Sequence, residues 1–147
     1  MHAYLGTQFS ALNPTERRDL AERIVERWQV EGTVDSSLLI TSGERFESYL
    51  ESEFPQWIRH REAAIGWRPD HQVMEGWIDL LLEGPDGFVL VDHKTYPGND
   101  PESQVREKYL GQMAAYRNAV LAATGKPVLR TLVHFPALGR VYEISQL

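Results

Sequence analysis

The feature that most constrains this chain is a pair of apolar runs, one around Trp77, Ile78, Leu80, Leu81 and Leu82, the other Phe88 to Val91. Between them stands Gly84-Pro85-Asp86-Gly87, the residue types that a tight connection prefers. The stretch from Glu75 to Thr95 therefore reads as two adjacent strands of a hairpin. Set into these strands are Asp79, Asp92 and Lys94. A charge among residues that favour burial is costly unless something compensates it. A divalent cation is the natural compensator for two carboxylates. An Asp–Lys ion pair at a strand end, with Asp79 near an edge, is the alternative that needs no metal.

Alternation along a strand puts Asp92 and Lys94 on one face and His93 on the other. It also puts Asp79 on one face with Trp77 and Leu81. If the two runs are hairpin neighbours, Asp79 lies across from the Asp92/Lys94 pair at the strand ends remote from the turn. Cross-strand neighbours are roughly 4.5–5.5 Å apart, which suits two carboxylates sharing one hard cation. Magnesium and manganese take such oxygen ligands. A lysine beside the cation can position a water and stabilise charge developing on a phosphate.

The chain has 147 residues, enough for one domain with a real core. Its 42% hydrophobic and 24% charged residues exclude a disordered composition. It contains no cysteine, hence neither a disulfide framework nor a thiolate metal site. No apolar run approaches the roughly 20 residues of a membrane helix. The first residues, MHAYLGTQFS, lack a signal-peptide profile, so the expectation is a cytoplasmic protein with no membrane partner. A net charge of −6 argues against holding nucleic acid by surface charge alone. A nucleic-acid substrate would then require bound cations or a larger partner.

Along the chain, Asn13-Pro14-Thr15-Glu16 predicts a capped helix start, with Leu20, Ile24, Val25 and Trp28 inward and Gly32 ending it. A shorter helix is predicted between Ser42 and Phe54, with Phe46, Tyr49 and Leu50 inward. Trp57 to Trp67 suits a strand. A polar connector from Tyr96 to Ser103 leads into a long helix, about Pro101 to Thr124, which Gly125 and Pro127 close. Val128 to Phe135 and Arg140 to Ile144 are the last strands. A helix between β segments implies one crossover onto a mixed sheet. Periodicity leaves α/β and α+β sandwiches both open.

The ordered set Gly76-Trp77-Ile78-Asp79, Asp92-His93-Lys94-Thr95 and Gln112-Met113-Ala114-Ala115-Tyr116, with His2 upstream, resembles the nuclease domain of RecB/AddA-like, UvrD/Rep-type helicase-nucleases, within the PD-(D/E)XK superfamily. The resemblance covers nearly the whole chain. It implies an α/β fold, a restriction-endonuclease-like central mixed β-sheet flanked by α-helices. It implies a single nuclease-like domain over 1–147, excised from or related to the C-terminus of a larger helicase-nuclease. The implied activity is a Mg²⁺- or Mn²⁺-dependent deoxyribonuclease, an exonuclease by expectation, hydrolysing phosphodiester bonds in DNA repair and recombination. Its partners would be single-stranded DNA or a DNA end and a helicase, in cis or as a separate protein.

The same resemblance makes His2, Asp79 and Asp92 metal ligands, with the backbone carbonyl of His93, and makes Lys94 the catalytic lysine beside Asp79 and Asp92. Gln112 and Tyr116 would contact DNA or support the site; at i and i+4 they share a helix face. His93 stands where the family commonly has an aromatic, and its side chain is expected to face away and matter little. Glu62 is a further candidate acid or an edge-strand charge. Trp57, Trp67 and Trp77 are core aromatics or base-stacking platforms. His60, His71 and His134 show no ligand spacing. No phosphate-binding loop or nucleophile elbow is present. The alternative function is a non-catalytic nuclease-like module for protein docking or DNA-end binding in a helicase complex. A sequence-specific restriction-type endonuclease is a more distant third, since no basic recognition helix is evident.

Overall fold

Asn13 opens the first helix as the capping pattern predicts: its Oδ1 accepts from the Glu16 amide at 2.9 Å, and its own amide donates to Glu16 Oε2 at 2.8 Å. Two donors at the helix start are thereby satisfied reciprocally. The computed structural model describes residues 12–27, 36–94 and 110–145. Helix α1 is Pro14–Arg27, with Ala21 fully buried and Leu20 and Ile24 packed beside it. The side chains of Val25 and Trp28 and the expected stop at Gly32 lie outside the described residues.

Helix α2, Ser36–Glu53, begins six residues before the predicted start at Ser42. Its buried positions Leu39, Ser42, Gly43, Phe46 and Leu50 recur at helical spacing. The early Leu38-Leu39-Ile40 run is an apolar segment that periodicity alone cannot assign; packing on α1 and the sheet decides it. Tyr49 is only partly buried.

Five strands follow: β1 (Ile58–Trp67), β2 (Met74–Glu83), β3 (Phe88–His93), β4 (Val128–Phe135) and β5 (Arg140–Glu143), with α3 (Leu110–Thr124) between β3 and β4. They form one sheet in the order β1-β2-β3-β4-β5. The β3–β4 pair is parallel and the other three are antiparallel. The predicted hairpin is β2–β3, closed by a bond from the Gly84 amide to the Gly87 carbonyl at 2.9 Å. A Cβ on Gly87 would lie 2.4 Å from the Pro127 carbonyl oxygen, so only glycine lets this turn meet the start of β4. Gly125, at φ 72°, ends α3 where predicted.

Val89 and Val91 pack against α1 and α2, whereas Phe88 and Leu90 pack against α3. Alternate residues of β3 thus face opposite layers, and the sheet is sandwiched between helices. This settles the open choice in favour of the α/β arrangement, a mixed sheet with helices on both faces and α3 as the crossover. Among the described residues no helix is long and apolar enough to cross a membrane.

Two substitutions gauge these contributions in chemical denaturation. Asn13→Ala is expected to lower stability by about 0.5–2 kcal/mol through loss of the cap. Leu90→Ala, at a site with no exposed surface, is expected to lower it by about 2–5 kcal/mol.

Candidate active site

The β2–β3 ladder runs from Glu83↔Phe88 at the turn to Leu80↔Val91. The next residues outward are Asp79 and Asp92. Here Asp79 Oδ2 accepts a hydrogen bond from the His93 amide at 2.7 Å. A side chain thus takes over from the ladder where the strands end, and the carboxylate is oriented by the neighbouring main chain.

The same level of the sheet carries a change of face. Leu80 and Leu82 pack with α1 and α2, yet Ile78 packs with Leu81 against α3. On β1, Arg59 and Arg61 bond Glu47 of α2, while Ala63, Ile65 and Trp67 lie against the α3 cluster. Between them Glu62 has φ 48°, a left-handed backbone that turns the strand over. Strict alternation places Trp77 on one face with Asp79 and Leu81; instead Ile78 joins Leu81 and Trp77 is 67% exposed. Glu62 itself is exposed.

Asp92 is 7% exposed, and its Oδ2 lies 3.0 Å from Lys94 Nζ. The i, i+2 spacing puts both on one face, as predicted. Desolvation strengthens this pair and would make loss of either partner costly. The His93 side chain faces the other way, 1% exposed, against Phe46 of α2. It is not idle there: its Nδ1 lies 2.9 Å from Nδ1 of His134, which is also buried. Ligand spacing gives no hint of this role for His134. The available signal is a histidine within the apolar run Leu132-Val133-His134-Phe135, the same kind of anomaly that marks Asp79 and Asp92.

Helix α3 brings Gln112 and Tyr116 to this end of the sheet. Gln112 Nε2 donates to the Tyr116 hydroxyl at 3.2 Å, and the Tyr116 ring meets Trp67 edge-on with centroids 6.2 Å apart. A Cβ on Gly76 would lie 2.9 Å from the Tyr116 ring. The glycine three residues before Asp79 is therefore the seat of the tyrosine, which braces β1 and β2 from the α3 side. Gln112 remains exposed. Of the tryptophans, Trp57 packs on Phe54 and Trp67 on Tyr116, leaving Trp77 as the exposed one.

His2 and Thr95 lie outside the described residues. Among the described residues no group of three or more His, Asp or Glu side chains is gathered as a metal cage. Two carboxylates at adjacent strand ends are nonetheless the donors that magnesium-type sites use, since that ion keeps several waters and takes one or two carboxylates plus substrate oxygens. The donor chemistry of Asp79 and Asp92 fits a hard divalent cation.

A family model for the PD-(D/E)XK nuclease superfamily matches residues 1–144. The chain belongs to this superfamily. Within the PD-(D/E)XK relatives it is similar to an ATP-dependent helicase/nuclease subunit of Desulforamulus reducens, 29% identical over 149 aligned positions that cover 95% of this chain and 10% of that protein. The helicase/nuclease subunit of the same name from Anoxybacillus flavithermus is 35% identical over 88 residues, 58% of this chain and 7% of the relative. Its namesake from Desulforudis audaxviator is 42% identical over 62 residues, covering 41% and 5%. The chain thus spans about a tenth or less of the length of the curated relatives it matches.

The seat of Tyr116 can be probed directly. Gly76→Ala is expected to displace the ring, destabilising the protein by about 1–3 kcal/mol, the usual penalty for overpacking. Near-ultraviolet circular dichroism should report the lost Trp67–Tyr116 contact.

Proposed function

We propose that this chain is a metal-dependent deoxyribonuclease that hydrolyses phosphodiester bonds in DNA repair and recombination, working as an exonuclease on single strands or DNA ends. The observation that carries the reading is the meeting of Asp79, Asp92 and Lys94 at adjacent strand ends, with Lys94 Nζ 3.0 Å from Asp92 and Asp79 held by the His93 amide. Membership of a nuclease superfamily supports it.

In this reading Asp79 and Asp92, with the His93 carbonyl and His2, hold Mg²⁺ or Mn²⁺. When bound, the cation supplies Lewis-acid activation of water and neutralises charge on the phosphate. The protein's own groups do the rest. The Asp79 carboxylate is held in orientation by the His93 amide. Asp92 holds the Lys94 ammonium at the site, where it orients the attacking water and donates to oxygens that gain charge as the phosphodiester breaks. Gln112, exposed beside Tyr116, presents an amide to the DNA backbone, and Tyr116 keeps the strand ends in register.

The net charge of −6 gives the domain little attraction of its own for DNA. The matched relatives are named as helicase/nuclease subunits. We therefore place the chain with a helicase, in cis or as a partner, that delivers the strand. Gel-based cleavage of labelled single-stranded DNA with Mg²⁺ or Mn²⁺ tests the reading. Asp92→Ala and Lys94→Ala should each lower the rate by roughly a hundredfold or more, and chelation should abolish it. Cleavage that survives both substitutions overturns the assignment. Absence of cleavage, with Mn²⁺ binding in calorimetry insensitive to Asp79→Ala, would favour the docking module instead.

A further inference from the structure

On the face of β3 away from the acids, two histidines are buried together. His93 and His134 are register partners in the parallel β3–β4 pair, 1% and 4% exposed, with Nδ1 atoms 2.9 Å apart. Phe46 covers both: it stacks on the His134 ring at 4.2 Å and 12°, and meets His93 edge-on at 5.1 Å. For two neutral imidazoles to bond through Nδ1, one must carry its proton there and the other must not, so the two rings take opposite tautomers. An apolar pair would fill this space without desolvating two polar rings. What the hydrogen bond adds is direction.

That direction matters because of where His93 lies in the sheet. The β2–β3 register ends at Leu80↔Val91. Beyond it, the described ties of β3 to β2 pass through the bond from the His93 amide to Asp79. On the other side, β4 holds β3 through the His93↔His134 register, the Lys94 amide on the His134 carbonyl at 2.8 Å, and the ring pair. The three residues Asp92, His93 and Lys94 are therefore steered from the β4 side, and His134 supplies both main-chain and side-chain contacts there.

We propose that His134 is a positioning residue: its ring bond to His93 sets the main chain that orients Asp79 and carries Asp92 and Lys94. The link to catalysis rests on the nuclease reading above; the link to the His93 main chain does not. His134 acts on the acids and the lysine through His93.

The test uses His134→Phe, which keeps a ring to stack on Phe46 and lacks Nδ1, and His134→Asn, which returns a polar atom at the δ position. Amide hydrogen exchange, measured by NMR on the metal-free protein, is read at His93 and at Leu90 as a core control. His134→Phe should speed exchange at His93 about tenfold, the equivalent of one ordinary hydrogen bond, with Leu90 unchanged. His134→Asn should restore most of the protection. With metal present, His134→Phe should weaken Mn²⁺ binding on the order of ten- to a hundredfold, as loss of a group that orients a ligand does. It should lower kcat while leaving KM for DNA in place. If His134→Phe does not fold, His93→Phe breaks the same bond from the other ring and should speed exchange at residue 93 alike.

Unchanged exchange at residue 93 in the folded variant overturns the proposal and leaves the nuclease reading standing. Fast exchange in a protein whose wild type neither binds Mn²⁺ nor cleaves DNA keeps the main-chain role of His134 and overturns its catalytic one.

Discussion

The hydrogen bond from the His93 amide to Asp79 is the contact on which the arrangement of this site depends. It stands where the antiparallel ladder of β2 and β3 stops, and it replaces a main-chain partner with a carboxylate. A buried amide needs an acceptor, and a carboxylate near the core needs donors; each satisfies the other. The result is an acid whose orientation is dictated by the strand that carries Asp92 and Lys94. The three charged groups are thereby coupled through one stretch of backbone rather than held separately.

The surrounding fold serves to keep that stretch in place from three directions. From the α3 side, Tyr116 rests on Gly76 and against Trp67, bracing β1 and β2 just before Asp79. From the α2 side, Phe46 covers the two buried histidines. From β4, parallel pairing and the Lys94 amide hold the end of β3. The turn-over of β1 at Glu62 and of β2 at Asp79 separates two packing regimes. Toward the hairpin turn, Leu80 and Leu82 face α1 and α2; toward the site, Ile78 faces α3. The acid stands at the level where the strands change face, which spares it from either apolar layer.

Much of this was legible in the residues. The hairpin, the capped start of α1, the stop of α3 at Gly125 and the single crossover followed from turn chemistry and periodicity, because those signals are local. The common face of Asp92 and Lys94 followed from a period of two. Three things did not. The early turns of α2 were hidden because Leu38-Leu39-Ile40 fits a strand or a helix equally well until a neighbour covers it. The exposure of Trp77 was hidden because alternation assumes a regular strand, and a positive φ on the adjacent strand breaks it. The partnership of His93 with His134 was hidden because the two are 41 positions apart and meet through a parallel register.

The sequence by itself therefore determined the identity of the charged residues, the strands that carry them and the superfamily to which the chain belongs. Those follow from residue chemistry and short-range spacing, which no packing can alter. Tertiary structure alone decided which groups touch. It turned Asp79 onto the His93 amide, seated Tyr116 on a glycine, and gave His93 a buried partner on the far strand. Such contacts depend on register and on where a strand turns over, and both are properties of the assembled sheet.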